Sequence, residues 1–98
     1  MTADPALHVF SRTTLTGLYL ILDESWASRC SLVEVLRQAG EAGVNLVQYR
    51  NKTESMKQAY PRAHALRRVA AELAMSFIVN DRCDLALAVE ADGVHLGQ

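Results

Sequence analysis

Short apolar runs alternate with longer amphipathic segments along most of this 98-residue chain. The runs have the length and the Leu, Ile, Val and aromatic content of buried strands, and they occupy residues 17–23 (GLYLILD), 44–50 (VNLVQYR), 76–81 (SFIVND) and 93–98 (GVHLGQ). The segments between them repeat apolar residues three and four positions apart, as amphipathic helices do. Because parallel strands need crossover helices, the alternation predicts an α/β fold with four parallel strands covered by helices. A small open sheet and part of a (β/α)8 TIM barrel both satisfy this pattern.

Capping residues mark the predicted helix boundaries. Ser31 and Ser55 each precede a Glu or Gln by three residues, which predicts a capping box at the start of the first and second helices. Pro61 lies inside the second helix and removes one backbone donor, so we expect a kink there or a helix that properly starts near Pro61. Asp84 is the predicted N-cap of a short third helix over residues 84–91.

Composition narrows the class of protein. The net charge is −1 and half of the residues are apolar, which disfavours a nucleic-acid or membrane surface and favours a small-molecule partner. The first residues lack the apolar core of a secretory signal, and no apolar run is long enough to span a bilayer, so the sequence predicts a cytoplasmic protein. We expect one domain over residues 1–98, with residues 1–16 as a flexible or helical N-terminal extension.

Polar side chains follow three of the predicted strands. Ligand-binding groups collect beyond the carboxyl ends of parallel strands, so these side chains are expected on one rim of the sheet. They are Gln48, Arg50 and Lys52 after the second strand, Asn80 and Asp81 after the third, and His95 after the fourth. Each group alone also suits a solvated strand end or a turn. Their matched positions on one rim favour a binding site.

The residue types at this rim suit a diphosphate with its magnesium ion. Arg50 and Lys52 can pair with phosphate oxygens, and Mg²⁺ binds a carboxylate such as that of Asp81 together with phosphate oxygens. The pattern leaves His95 open between a binding role and a buried core histidine. Tyr19 lies within the first strand and is expected in the core unless its hydroxyl reaches the rim.

Three segments of the chain resemble the amino-terminal half of thiamine phosphate synthase, also called thiamine-phosphate pyrophosphorylase. They are LYLILD, GVNLVQYRNK and FIVNDRCDLALAVEADGVHLGQ, and with their spacing the resemblance extends from Gly17 to Gln98. It implies a (β/α)8 barrel and a transferase of thiamine biosynthesis with Mg²⁺ as cofactor. The implied reaction joins 4-amino-2-methyl-5-(diphosphooxymethyl)pyrimidine to thiazole phosphate, giving thiamine phosphate and diphosphate.

The resemblance also implies a role for each matching rim residue. The implied assignments are Gln48 to the pyrimidine, Arg50, Lys52 and Asn80 to the diphosphate, Asp81 to Mg²⁺, and His95 and Tyr19 to the lining of the pyrimidine pocket. Arg50 and Lys52 would be the catalytic residues, stabilising charge on the leaving diphosphate. Asn51 stands where an acidic residue is common in the family. We expect little effect, because its side chain points away from those of its neighbours on a strand.

The length of the chain is the main departure from this family. A (β/α)8 barrel needs about 200 residues or more, so four strands correspond to half a barrel. We expect such a fragment to be inactive alone unless a second copy or a complementing second half closes the barrel. Two alternatives stay open: an isomerase similar to thiazole tautomerase, and a non-catalytic half-barrel that binds phosphate ligands. The isomerase predicts loss of the diphosphate and magnesium groups, which this chain retains.

Overall fold

The described residues form one five-stranded sheet, and the helices pack on it. The computed structural model describes residues 10–13 and 17–96, and the described side chains begin at Tyr19. The five strands are β1 (Phe10–Thr13), β2 (Gly17–Asp23), β3 (Leu46–Arg50), β4 (Ser76–Asn80) and β5 (Gly93–His95), hydrogen-bonded in that order. The pairs from β2 to β5 are parallel and β1 is antiparallel to β2. The prediction of four parallel strands alternating with helices is confirmed.

The N-terminal prediction needs a correction. Residues 10–13 form β1 and pair with residues 17–20 of β2, so they are not a flexible or helical extension. The edge of β2 offers unpaired backbone groups, and an antiparallel neighbour satisfies them through a short connection. The rest of the expected extension, residues 1–9 and 14–16, lies outside the described residues.

Helices connect the parallel strands. They are α1 (Leu32–Glu41), α2 (Met56–Glu72) and α3 (Cys83–Ala88), and a 3₁₀-helix (Glu24–Ser28) precedes α1. The predicted caps are confirmed, because the Ser31 hydroxyl accepts from the Glu34 N–H at 3.2 Å and the Ser55 hydroxyl accepts from the Gln58 N–H at 3.3 Å.

Among the described residues, no helix has the length and apolar character needed to cross a membrane.

Two details of the helices differ from the sequence prediction. Helix α2 starts at Met56 and runs through Pro61 in its second turn, so the alternative that the helix properly starts near Pro61 is wrong. Pro61 is exposed, which leaves space for its ring. Helix α3 begins at Cys83, with Arg82 at the N-cap position, so Asp84 is not the N-cap. The Asp84 carboxylate accepts from the Leu85 N–H at 2.8 Å, inside the first turn.

Alternation along the strands separates a helix-covered face from an open one. The covered face buries the side chains at every second strand position, namely Leu20, Leu22, Val47, Tyr49, Phe77 and Val79. The rings of Tyr49 and Phe77 stack across β3 and β4 with centroids 6.1 Å apart. The other face, called here the open face, carries half-buried side chains and is where the rim residues of the strands project.

Two residues in the left-handed region of backbone conformation predict opposite stability changes. Gly43 has a φ of 97° and Ala74 a φ of 59°, and each follows a helix. Nothing lies within 4 Å of a Cβ added at Gly43. Gly43→Ala should therefore lower the free energy of unfolding by about 1 kcal/mol through backbone strain alone. Ala74→Gly should raise it by about 0.5–1 kcal/mol, because relief of strain exceeds the entropy that glycine adds to the unfolded chain.

Urea unfolding followed by circular dichroism measures both changes. Ala42→Gly is the control, because Ala42 is exposed and has an ordinary φ of −82°, so glycine there brings only the entropic cost. A shift of the same sign for Gly43→Ala and Ala74→Gly would contradict the explanation from backbone conformation.

Candidate functional site

The register of the strands places the predicted site residues side by side. Arg50 lies beside Asp23 of β2, and Asn80 lies beside His95 of β5. Gln48 is level with Ile21 and with Ile78 of the neighbouring strands. All of these residues stand on the open face, near the carboxyl ends of the strands. We use the term rim for the carboxyl ends of the parallel strands together with the residues that directly follow them.

Gln48 and Asn80 join two neighbouring strands. The Asn80 side-chain amide donates to the Gln48 side-chain oxygen, with Nδ2 and Oε1 2.7 Å apart. Both side chains are half-buried, and each retains one end of its amide for a ligand, since neither makes another side-chain bond among the described residues. The bond connects the two polar clusters that the sequence placed after separate strands.

A concavity of about 370 Å³ opens next to this pair. Its lining combines polar and apolar groups: Tyr19, Leu46, Gln48, Ile78, Val94 and His95. A concave surface with an apolar base and few polar groups is typical of small-molecule sites. His95 is exposed, so it is not the buried core histidine that the pattern allowed. Tyr19 is half-buried and faces the concavity, which places it outside the core proper.

Arg50 is held by a carboxylate that the sequence analysis did not select. The Arg50 guanidinium donates to Asp23 Oδ2 at 2.5 Å, and the other Asp23 oxygen accepts from the Ser25 N–H at 2.9 Å. Burial alone would raise the pKa of the Asp23 carboxyl, but the bonds from Ser25 and Arg50 outweigh it and hold the pKa below its ordinary value. The guanidinium has five N–H donors, so the pair leaves others for an anion. Its place at the last position of β2, level with Arg50, is the signal by which Asp23 could have been found.

Lys52 and Asp81 lie beyond the strands and are exposed. Strand β3 ends at Arg50, so the every-second-residue pattern that united Gln48, Arg50 and Lys52 does not extend to Lys52. Asp81 has a φ of 65°, a left-handed conformation that Asp tolerates better than most residues, and its N–H donates to the His95 carbonyl at 2.8 Å. Neither side chain forms an ion pair within the described part of the chain.

The acidic groups at the rim limit what metal the chain could bind. Across residues 17–96, no cluster of three or more His, Cys, Asp or Glu side chains could enclose an ion. Asp81 offers one exposed carboxylate. Mg²⁺ commonly binds through one or two carboxylates and completes its shell with water and substrate phosphates. The donor set therefore fits a magnesium ion that arrives with a phosphate ligand, and it does not fit a protein-only cage.

A buried polar network supports the rim from the covered face. The Tyr49 hydroxyl donates to Glu24 Oε1 at 2.5 Å, and Arg62 of α2 pairs with the other Glu24 oxygen. Burial, followed by the bond to Glu24, raises the pKa of the Tyr49 phenol well above its ordinary value, so the hydroxyl keeps its proton and donates. The sequence analysis counted Tyr49 only as a strand residue and missed this network.

Asn51 belongs to the same network. Its side chain is 2% exposed, which agrees with the prediction that it points away from the rim. Its amide donates to the Tyr49 hydroxyl at 3.1 Å and to Glu54 Oε1 at 3.0 Å, and its oxygen accepts from the Glu54 N–H at 3.2 Å. Asn51 thus fixes the loop that carries Lys52 to the buried network, and little effect at the rim from Asn in place of an acidic residue stays a prediction.

Comparison with known proteins gives consistent matches. A family model described as thiamine monophosphate synthase matches residues 18–98. The thiamine-phosphate synthase of Methanospirillum hungatei is 43% identical over 82 residues, which are 84% of this chain and 40% of that protein. That of Shouchella clausii is 44% identical over 81 residues, 83% of this chain and 39% of that protein. The chain thus spans about 40% of the length of the curated relatives that it matches.

A solved structure agrees with these matches. The thiamine phosphate pyrophosphorylase from Pyrococcus furiosus superposes with a TM-score of 0.66 and 36% sequence identity. The superposition covers 78% of this chain and 36% of that chain. The similarity therefore includes both the sequence and the order of βα units.

The buried polar network around Tyr49 predicts that removing the Tyr49 hydroxyl lowers the stability of the folded chain. Tyr49→Phe leaves a buried Glu24 oxygen without its donor and deprives Asn51 of an acceptor. The free energy of unfolding should fall by about 1–3 kcal/mol, the penalty for a buried polar group that loses its partner. Urea unfolding measures this, with Tyr60→Phe as the control because Tyr60 is exposed and forms no side-chain hydrogen bond among the described residues. Equal, small changes in both variants would show that the network adds no stability.

Asp23 predicts a pH dependence of stability. Its pKa is lower in the folded chain than the ordinary value of 3.8, so its contribution is complete above about pH 4 and declines as the pH falls toward the folded pKa. The difference in unfolding free energy between the wild-type chain and Asp23→Asn should therefore be constant from pH 5 to 7 and shrink below about pH 4. Unfolding curves at successive pH values measure it. Glu41→Gln removes an exposed carboxylate that forms no ion pair in the described part, and it controls for the loss of one negative charge. A difference between wild type and Asp23→Asn that stays constant through pH 3 would contradict this role.

Proposed function

The chain belongs to the thiamine monophosphate synthase family, and we propose that it forms the part of a thiamine phosphate synthase that binds the pyrimidine diphosphate substrate at the rim. The reaction would join 4-amino-2-methyl-5-(diphosphooxymethyl)pyrimidine to thiazole phosphate and release diphosphate. The curated relatives are named for this synthase, and the chain spans about 40% of their length. The open face would be covered by further βα units or by a second copy of the chain.

One observation carries the proposal. The Gln48–Asn80 hydrogen bond joins β3 to β4 at the edge of the concavity, and Arg50 is the next residue of β3 on the same face. An amide pair beside a cation, next to an apolar concavity, has the polarity of a ligand with a ring at one end and a phosphate group at the other. This arrangement supports the pyrimidine diphosphate more than an isomerase substrate without diphosphate.

The concavity suits the aminopyrimidine ring. Leu46 and Ile78 provide apolar contact, and Gln48 can bond to ring nitrogen or to the exocyclic amine through the part of its amide that Asn80 does not use. Tyr19 and His95 would complete the lining. These contacts would fix the ring and thereby the direction in which its methylene carbon faces.

The rim beyond the ring suits the diphosphate. Arg50, held by Asp23, presents a preorganised guanidinium, and Lys52 adds an exposed ammonium. Asn80 can orient its remaining amide group toward a phosphate oxygen. Asp81 would hold Mg²⁺ on the diphosphate, and the ion would neutralise part of the charge that develops on the leaving group.

The chemistry needs no protein nucleophile. The bond between the methylene carbon and the diphosphate oxygen breaks with its electron pair on the diphosphate, and the thiazole nitrogen forms a new bond to that carbon. The electron-rich pyrimidine stabilises positive charge on the carbon as the bond breaks. Arg50 and Lys52 would act by stabilising charge on the departing diphosphate and by holding it in line.

Removing the rim charges should weaken diphosphate binding and turnover. Arg50→Ala removes a cation and Asp81→Asn removes a carboxylate while keeping a residue that accepts the left-handed backbone. In calorimetric titration with magnesium and inorganic diphosphate, each should weaken binding by about 10- to 100-fold, as expected for bonds to charged groups. Turnover is measurable in a chimera that carries this chain in place of the matching segment of the Methanospirillum hungatei synthase. It should fall by about 100-fold or more.

Arg68→Ala is the matched control. Arg68 lies exposed on α2, so this substitution removes the same charge away from the rim. Circular dichroism must show that each variant keeps its helices. If both rim variants bind magnesium diphosphate as wild type does, and the active chimera keeps its turnover, the rim is not the diphosphate site. Binding without turnover in an otherwise intact chimera would favour a non-catalytic phosphate-binding module.

A further inference from the structure

We propose that Arg82 is a positioning residue that holds the Lys52 loop, residues 51–55, against the end of β4. Because Asp81 precedes it directly, Arg82 would fix the distance between the Lys52 ammonium, which would pair with the diphosphate, and the Asp81 carboxylate, which would hold its Mg²⁺. This inference deepens the proposed function and rests on it.

The contacts of Arg82 point to the neighbouring loop. Its Nη1 donates to the Glu54 carbonyl at 2.8 Å and to the Asn51 carbonyl at 3.3 Å. These two carbonyls lie on either side of Lys52 and Thr53 in the chain, so one guanidinium closes the loop at both ends. The Arg82 side chain is 20% exposed, whereas Asp81 and Lys52 are exposed.

The loop is anchored on its other side by the buried network. The Asn51 side chain bonds to the Tyr49 hydroxyl and to both the side chain and the backbone N–H of Glu54. The network therefore fixes the loop to β3, and Arg82 fixes it to β4. Lys52 has no side-chain partner of its own among the described residues, so its place depends on the backbone of this loop.

The geometry favours positioning over direct phosphate contact by Arg82. Its Nη1 is occupied by two carbonyl oxygens, and its Nη2 lies 3.8 Å from a carboxylate oxygen of Asp84. Backbone carbonyls and a carboxylate thus already surround the guanidinium. A small displacement of a positioning group can cost a large factor in binding or rate, which gives an indirect contact a measurable effect.

A double-mutant cycle separates the two roles. Lys52→Met and Arg82→Gln, made singly and together, are titrated with magnesium and inorganic diphosphate. Each single change should weaken binding by about tenfold or more, and the double variant should be little weaker than Lys52→Met, because Arg82 acts through Lys52. Additive effects would mean that Arg82 acts independently of Lys52 and would overturn the positioning role.

Amide hydrogen exchange tests the loop without a ligand. Arg82→Gln should speed exchange at the Glu54 N–H, which donates to Asn51, and leave the amides of α1 unchanged. Arg82→Lys should restore part of the protection, because an ammonium can still donate to a carbonyl. Arg68→Gln, an exposed arginine of α2, controls for the lost charge. Unchanged exchange at Glu54 in a folded Arg82→Gln chain would overturn the inference.

The two experiments distinguish failure of the inference from failure of the proposed function. If the wild-type chain does not bind magnesium diphosphate, the proposed function fails, and the positioning role toward this ligand fails with it. If wild type binds but the cycle is additive or the Glu54 amide is unaffected, only the role of Arg82 fails. If Arg82→Gln does not fold, the cycle and the exchange measurement are repeated with Arg82→Lys, with the same expected directions and the same contradicting outcomes.

Discussion

Parallel pairing from β2 to β5 determines where the candidate site residues of this chain can lie. The register sets Asp23 beside Arg50 and Asn80 beside His95, and it directs their neighbours in the chain to the opposite face. A slip of one residue would exchange the faces, burying Arg50 among the helices and exposing Tyr49. The burial of Leu22, Tyr49 and Val79 on the covered face therefore fixes the polar groups on the open one.

The sequence predicted the parts of the structure that follow from periodicity. The four parallel strands and both serine caps depend on spacing within short segments, and the structure contains them. The closeness of Gln48 to Asn80 followed from a general property of parallel sheets, namely that carboxyl ends share one edge. Strand β1 was missed, because its pairing depends on the free edge of β2 and leaves no periodic signal in four residues.

The supporting contacts could not be predicted from spacing. Asp23 was visible as the last residue of the first predicted strand, but its bond to Arg50, 27 residues away in the chain, requires the register of the two strands. The contacts of Asn51 and Arg82 depend on the conformation of a loop: Arg82 donates to the Asn51 and Glu54 carbonyls, and the Asn51 side chain bonds to Tyr49 and Glu54. Strand rules did identify that the Asn51 side chain points away from the rim. They did not reveal the hydrogen bond that the Asn51 amide donates to the Tyr49 hydroxyl on the covered face.

Charge balance at the rim gives a physical reason for a metal in the proposed function. Arg50 and Lys52 supply two cations, and Asp23 and Asp81 supply two carboxylates, so these four groups together carry no net charge. A bare diphosphate would meet a neutral rim and would also face repulsion from the exposed Asp81. Under the proposal, Asp81 would hold Mg²⁺ on the diphosphate, so this carboxylate would be a ligand rather than a repulsive group, while Arg50 and Lys52 would pair with phosphate oxygens. Under this proposal, affinity for diphosphate depends on magnesium more steeply than it would at a site built from cations alone.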